Sequence, residues 1–532
     1  MRAPNSIPLM TRSRLTRAVC TIGLALLATP DLTWGQRGTV TGAATVRERV
    51  RAYRTAREGE IVRELAELLS IPNVARDSVN IRRNADHLVA MLRRRGIEAR
   101  RLELPGSPPA VYGELRVPAA RRTVMLYAHY DGQPVVPEEW ASDPWTPVLR
   151  SGPLTDTARE LPLPAPNERV PGEWRLYARS ASDDKSPIVA MLRAIDALAE
   201  TGTPLSVNVK FFLEGEEEAG SANLRQMLLA HRDLLQADVW LFADGPVHQT
   251  RAMQVVFGVR GVMGLDLTVY GPSRALHSGH YGNWAPNPIA VLTSLLSSLR
   301  DADGKILIDG FYDDVTPLTD AERAAVRALP PVEQELRRSL ALGATEAGNA
   351  LLAERIALPA LNLRGVAGGQ VGEKAANAIP THASASIDFR LVPRQTPERV
   401  RTLVESHIRR QGFFIAPDSA DATARRTHER VVALRWDGGY PAVRTSMELP
   451  LSRALLEVVQ EASDAKVLAV PTLGGSLPLN IFQEVLGAPL IVVPIVNHDN
   501  NQHAANENLR IQNLWDGIEI YASILARLGA RW

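Results

Sequence analysis

The chain has 532 residues, 45% hydrophobic and 22% charged, and its 60 basic against 59 acidic residues leave a formal net charge of +1. Such a length buries more than one core, while the balanced charge excludes a general attraction to nucleic acid or anionic membrane, so partners must be argued from a site. The single cysteine, Cys20, lies close to the N-terminus. The remainder therefore has no disulfide, cysteine nucleophile or thiolate ligand, and any metal must sit on His, Asp or Glu.

Arg2, Arg12, Arg14 and Arg17 precede the apolar run 18–28, and Thr33-Trp34-Gly35 follows it. This order predicts a signal peptide over 1–35, cut after Gly35, because the run is about half the roughly 20 residues of a membrane span. A periplasmic or secreted protein without lasting membrane association is expected. Val19 before Cys20 does not suit a lipoprotein cleavage site.

Helical periodicity covers 44–69 and 85–95. The runs 122–128 (RTVMLYA), 207–213 (VNVKFFL) and 239–243 (VWLFA) are nearly continuous in apolar residues, as in strands buried on both faces of a sheet. Helices are expected between them at 187–201 and 221–235, and this alternation predicts an α/β domain. From Val259-Arg260-Gly261 the texture changes to alternating strands, 264–270 (GLDLTVY) and 383–391 (ASASIDFRL), with a helix over 397–411. We expect an α+β unit over 259–436, inserted between catalytic segments 44–258 and 437–532. The second segment carries a helix at 449–462, an apolar strand at 489–495 and a closing helix at 514–528. The stretch 149–171 reads as extra loops near the site.

Chemistry-bearing residues gather at strand ends and loops, where open α/β sheets place their ligand clefts. His129 and Asp131 follow the first strand on the same side of an extended chain, so one suits a metal and the other can orient it. Ser182-Asp183-Asp184-Lys185, Glu214-Gly215-Glu216-Glu217-Glu218, Asp244 and His503 are the other places. Adjacent carboxylates such as Glu217 and Glu218 are costly to bury unless a cation neutralises them. In isolation each has a plainer reading: a turn pair for His129, a solvated acidic helix start for 214–218, and a helix cap for 182–185.

Their joint order resembles the family-twenty zinc metallopeptidases, which include dipeptidases, carnosinases, carboxypeptidase G, aminoacylases and succinyl-diaminopimelate desuccinylase. Ala128-His129-Tyr130-Asp131, Ala181-Ser182-Asp183-Asp184-Lys185, Glu214 to Ser221, Phe242-Ala243-Asp244, Leu276-His277-Ser278-Gly279, Phe389-Arg390-Leu391-Val392-Pro393, Gly474-Gly475-Ser476 and His503 carry the likeness, which spans 61–528 and is nearest the non-specific dipeptidases. It implies a catalytic domain with a central mixed sheet flanked by helices, and an α+β lid that dimerises.

It further implies two zinc ions, with manganese or cobalt tolerated. His129, Asp183, Glu218, Asp244 and His503 would be the ligands, Asp183 bridging. Asp131 would orient His129, and Glu217 would be the general base for the water shared by the ions. His277 of a partner subunit would stabilise the oxyanion, Arg390 would hold the substrate carboxylate, and Asn377, Gly475 and Ser476 would add hydrogen bonds. The implied reaction is amide hydrolysis of dipeptides or short peptides by a homodimer; an N-acyl-amino-acid deacylase or desuccinylase shares every ligand, and a non-catalytic binding protein shares only the fold. Ala178-Arg179-Ser180 and Ser186 stand where the family has glycines, so a slightly different loop is expected there. His498 is the other histidine available near His503, and Asn506-Glu507 favours His503.

Overall fold

The computed structural model describes residues 45–417 and 422–532; the signal peptide expected over 1–35 lies outside the described residues. Eight strands form the large sheet, in the order Glu98–Leu102, Ala110–Leu115, Asn208–Glu214, Thr123–His129, Val239–Phe242, Leu490–Val492, Gln254–Val256 and Leu468–Val470. Its middle four strands, from Asn208–Glu214 to Leu490–Val492, run parallel, and Ala110–Leu115 pairs antiparallel with both of its neighbours. Alternation within one strand feeds both faces. Val124, Leu126 and Ala128 enter one core with helices Glu58–Leu69, Lys185–Glu200 and Ile511–Arg531, while Met125 and Tyr127 enter the other with Leu224–Ala230 and Leu479–Leu486. This is the expected mixed sheet between helical layers, and it explains why its strands read as unbroken apolar runs.

A second sheet of five strands runs Ala360–Ala367, His382–Leu391, Gly261–Tyr270, Val431–Tyr440, Phe414–Ala416. Here only one face is covered. Ala383, Ala385, Ile387, Phe389 and Leu391 pack with residues of helices Pro288–Leu299 and Pro397–Arg410, and the other face carries polar pairs such as Ser386 Oγ donating to Asp266 Oδ1 at 2.6 Å. The period of two visible in the sequence is the signature of that half-covered sheet. Both sheets belong to the one compact unit Ala44–Trp532.

Two local expectations change. Helix Ser78–Arg93 begins well before residue 85, because Asp77 caps it by accepting from Asn80 N at 3.1 Å. Residues 149–171 are not simply loops: Val148–Arg150 and Glu160–Leu161 join Arg175–Tyr177 and Asn508–Arg510 in a four-stranded antiparallel sheet. Buried Glu58 then accepts from Val170 N at 2.6 Å and Arg169 Nε at 2.9 Å, docking the end of this segment on helix Glu58–Leu69. Strands of two or three residues are too short to leave a periodic signal.

Candidate metal centre and active site

The parallel strands of the large sheet deliver the site from their carboxyl ends. His129 closes its strand, Glu214 closes the neighbour, Asp244 follows Val239–Phe242 by two residues, and the loop after Leu490–Val492 carries His503. Asp183 sits just before helix Lys185–Glu200, and the Asp183–Asp184 peptide is cis. Two groups of donors result, His129 with Glu217 and Asp244, and Asp183 with Glu218 and His503, the atoms of each lying within 4.8 Å of one another. Asp183 links them: its Oδ1 is 2.9 Å from His129 Nε2 and its Oδ2 is 3.1 Å from His503 Nε2. His503 Nε2 is also 3.2 Å from Glu218 Oε2. His498 joins neither group.

The electrostatics of this cluster suit cations. Burial, then Asp183, pushes Glu218 up to about 7 and Asp244 up to about 6. Glu217 is raised well above the usual carboxylate range by burial and then by Asp244, Asp183 and Glu218, with His129 opposing. Burial also disfavours the charged form of Asp183, yet hydrogen bonds from His129 and His503 outweigh it and hold that carboxyl below the ordinary range. Four crowded carboxylates and two imidazoles, with no thiolate, match the donor preferences of zinc, manganese or cobalt, and a divalent charge would relieve their mutual repulsion. The residues present therefore fit the expected metal.

Asp131 does more than orient His129. Its Oδ1 lies 3.5 Å from Nδ1, and the ring's hydrogen bond goes instead to the Asp131 backbone oxygen at 3.2 Å. The carboxylate, fully buried, accepts from Glu217 N at 3.1 Å and Glu218 N at 3.0 Å, so it fixes the turn that carries both glutamates. Glu214 and Glu216 tie down the same turn through Ser221 Oγ (2.7 Å) and Asn223 N (2.7 Å).

Glu507 plays the corresponding part for Asp183. One fully buried carboxylate accepts from Ser180 N (2.8 Å), Ser182 N and Oγ (both 3.0 Å), Asp183 N (2.9 Å) and Arg179 Nη1 (2.9 Å). The departures from glycine are absorbed here: Ser180 takes φ +61°, the left-handed conformation glycine favours, and is held there by Glu507 and by Asn73 Nδ2 donating to its Oγ at 2.9 Å. Buried Lys185 donates to Leu68 O and Ile71 O at 2.9 and 3.1 Å, anchoring the following helix.

The residues expected to contact substrate or oxyanion fall in two places. Gly475 and Ser476 line a cleft of about 470 Å³ together with Asp183, Glu217, Asp244 and His503. Arg390 reaches that loop by donating to Ser476 Oγ at 2.9 Å and is steadied by Asp388 at 3.1 Å. His277 and Asn377 stand together elsewhere, exposed, at a short two-stranded ribbon of distant segments where Ser278 N donates to Asn377 O at 2.8 Å. His277 Nδ1 accepts from Gly279 N at 3.1 Å, and no hydrogen bond or ion pair among the described residues ties either residue to the donor groups.

Several participants were invisible in the sequence. Gln133 Nε2 donates to Glu218 Oε2 at 2.8 Å and Gln502 Nε2 to Asp183 Oδ2 at 2.7 Å. Arg260 holds the 474–475 loop through its backbone N to Gly475 O (3.2 Å) and its Nε to Gly474 O (3.1 Å). Tyr440, raised to about 12 by burial and by Glu217, with Arg390 opposing, sits under the influence of both. Glutamine amides and a strand-end tyrosine have no spacing rule that marks them; Glu507 alone had a cue, its place four residues after His503.

An α/β scaffold with a buried cluster of nitrogen and oxygen donors at its strand ends defines a metallohydrolase. Residues 125–527 match the model of peptidase family M20/M25/M40, and the chain belongs to that family. It is 26% identical over 496 residues to the Cys-Gly metallodipeptidase dug1 of Schizosaccharomyces pombe, covering 89% of this chain and 96% of that one. It is likewise 26% identical over 430 residues to the human Beta-Ala-His dipeptidase, covering 79% and 78%. Among solved structures, the M20 family metallo-carboxypeptidase Sso-CP2 of Sulfolobus solfataricus superposes with a TM-score of 0.70 at 28% identity, over 88% of this chain and 99% of that one. Human carnosine dipeptidase 1 shares the fold with a TM-score of 0.67 at 23% identity, over 92% of this chain and 100% of that one. The protein is a metallopeptidase, a metal-dependent peptide hydrolase.

Proposed function

We propose that the protein is a two-zinc dipeptidase that cleaves dipeptides or short peptides. The observation that carries this is the linkage of two donor groups through the two oxygens of Asp183. His129 and Asp244 would hold one ion, Glu218 and His503 the other, and Asp183 both. Bound there, the ions supply Lewis acidity, polarising the scissile carbonyl and making water acidic at neutral pH.

Glu217 is the general base. It lines the cleft, its backbone is fixed by Asp131, and the burial that raises its proton affinity suits it to take a proton from the attacking water and pass it to the leaving amine. Arg390, positioned by Asp388 and Ser476, grips the substrate carboxylate. His277 and Asn377 complete the site from a second subunit. Support for a dimer comes from the same unit: its edge strand Ala360–Ala367 exposes Leu363 and Val366, and Trp284 and Val371 are 80% and 86% exposed. The names of the relatives, a Cys-Gly and a Beta-Ala-His dipeptidase, favour dipeptides over acyl-amino acids. Export from the cytoplasm is proposed on the N-terminal pattern of 1–35.

Elemental analysis of protein purified without chelator should give two zinc ions per chain, and Glu217→Gln should keep both while losing a factor of about 10² to 10⁴ in kcat. Normal turnover by Glu217→Gln, or turnover of acyl-amino acids only, removes the assignment.

A further inference from the structure

A cavity of about 400 Å³ adjoins the catalytic cleft and shares walls with it. Pro246 and Leu473 line both spaces, and the neighbours Gly474 and Gly475 face one each. Elsewhere its surface is largely apolar, with Leu329, Val332 and Ile356 contributed by the 320–356 segment and Val470 by the large sheet. That segment is seated firmly: helix Asp320–Arg327 places buried Glu322 3.2 Å from Arg444. Ile356 lies against the loop between the two spaces, its Cδ1 3.3 Å from where a Cβ on Gly474 would stand.

Among the polar side chains on these walls, which include Gln249, Gln254, Arg327 and Glu333, one stands out. Thr472 lines the cavity, is only 8% exposed, and its Oγ1 has no hydrogen-bond partner among the described residues. A buried hydroxyl without a partner is costly and marks a place where a ligand atom is expected. His248 and His498 also line this space, which gives His498 a place away from the metal donors.

The geometry points to this cavity as the specificity pocket for a large, mainly apolar substrate side chain beside the scissile bond, aromatic with a polar tip being the best fit. It rests on the dipeptidase reading and narrows its substrates. An apolar cavity of roughly 150 Å³ already accepts a benzene ring, so this one has room for a tyrosyl group whose hydroxyl reaches Thr472. Cleft and cavity meet at the wall formed by Pro246, Leu473 and the 474–475 loop, so a side chain seated in the cavity lies beside the residues that hold the substrate backbone.

The test is kcat/KM of the zinc-loaded enzyme for Gly-Gly, Gly-Phe, Phe-Gly, Gly-Tyr and Tyr-Gly. At one of the two positions the aromatic residue should raise kcat/KM over Gly-Gly by about a hundredfold, within the range that filling an apolar pocket provides. Thr472→Val should lower the tyrosine-to-phenylalanine ratio about three- to tenfold, and Ile356→Trp, which fills the cavity, should bring the aromatic-to-glycine ratio down at least tenfold. Both variants are checked for an unchanged melting temperature. Turnover of all five dipeptides with equal kcat/KM overturns the pocket and leaves the dipeptidase reading standing; no turnover of any of them overturns both.

Discussion

The backbone segments that carry Asp183 and Glu218 are each gripped by a buried carboxylate, Glu507 on one side and Asp131 on the other. Around His277 the opposite holds: the residue is exposed, the helix Ser278–Tyr281 that follows it is a single turn, and its ring neighbour is another exposed imidazole, His280, tilted against it at 4.5 Å. The first region is complete within one chain. In the second, no hydrogen bond or ion pair among the described residues ties His277 to the donor groups. The contrast teaches that the cost of crowding like charges is met locally, by rigid supports; on the proposed dimer, a group needed only at the moment of reaction comes from another molecule.

Removing the metals tests the first region most severely. Dialysis against a chelator should abolish peptide hydrolysis, and adding zinc, manganese or cobalt should restore it; activity that survives complete removal breaks the scheme. Next in size, His277→Ala should lower kcat by about 10² to 10³ with metal content unchanged. Mixing His277→Ala with Glu217→Gln should then restore roughly a quarter of the wild-type activity, since a symmetric pair of subunits can rebuild one intact site in each mixed dimer. No recovery would place His277 in its own subunit's site or in none.

Glu507→Gln addresses the supports. Metal affinity measured by calorimetry should fall about 10- to 100-fold, the usual consequence of disturbing groups that orient ligands, while an unchanged affinity would mean the loop holds its shape unaided. The smallest effect expected is that of Arg390→Lys, which keeps the charge and loses the planar fork: KM for a dipeptide should rise about tenfold with kcat nearly constant.

The donors themselves were legible in the sequence because they sit at the ends of apolar strands or in short motifs, as His129, Asp183, Asp244 and Glu218 do. Their supports were not. Glu507 and Asp131 act on backbone amides, and which amides converge on a carboxylate is decided only when distant segments meet. Spacing and resemblance place Asp131 beside the His129 ring, where its Oδ1 lies 3.5 Å from Nδ1, but neither shows that the same carboxylate also takes two N–H groups of the glutamate turn. In the fold, long strands buried on both faces announced themselves, whereas Glu160–Leu161 could not, and helix Ser78–Arg93 was shortened because Asp77 was not read as its cap.

Glu507 also sets an order of assembly. The loop bearing Asp183 is clasped by a residue 324 positions further along the chain, and His503, which completes the second donor group, lies beside it. A growing polypeptide thus carries most of its donors for a long time without being able to organise them. On the proposed reaction, hydrolytic power waits for the segment that bears His503 and Glu507, and a chain that stops short of it is expected to leave the peptides around it intact.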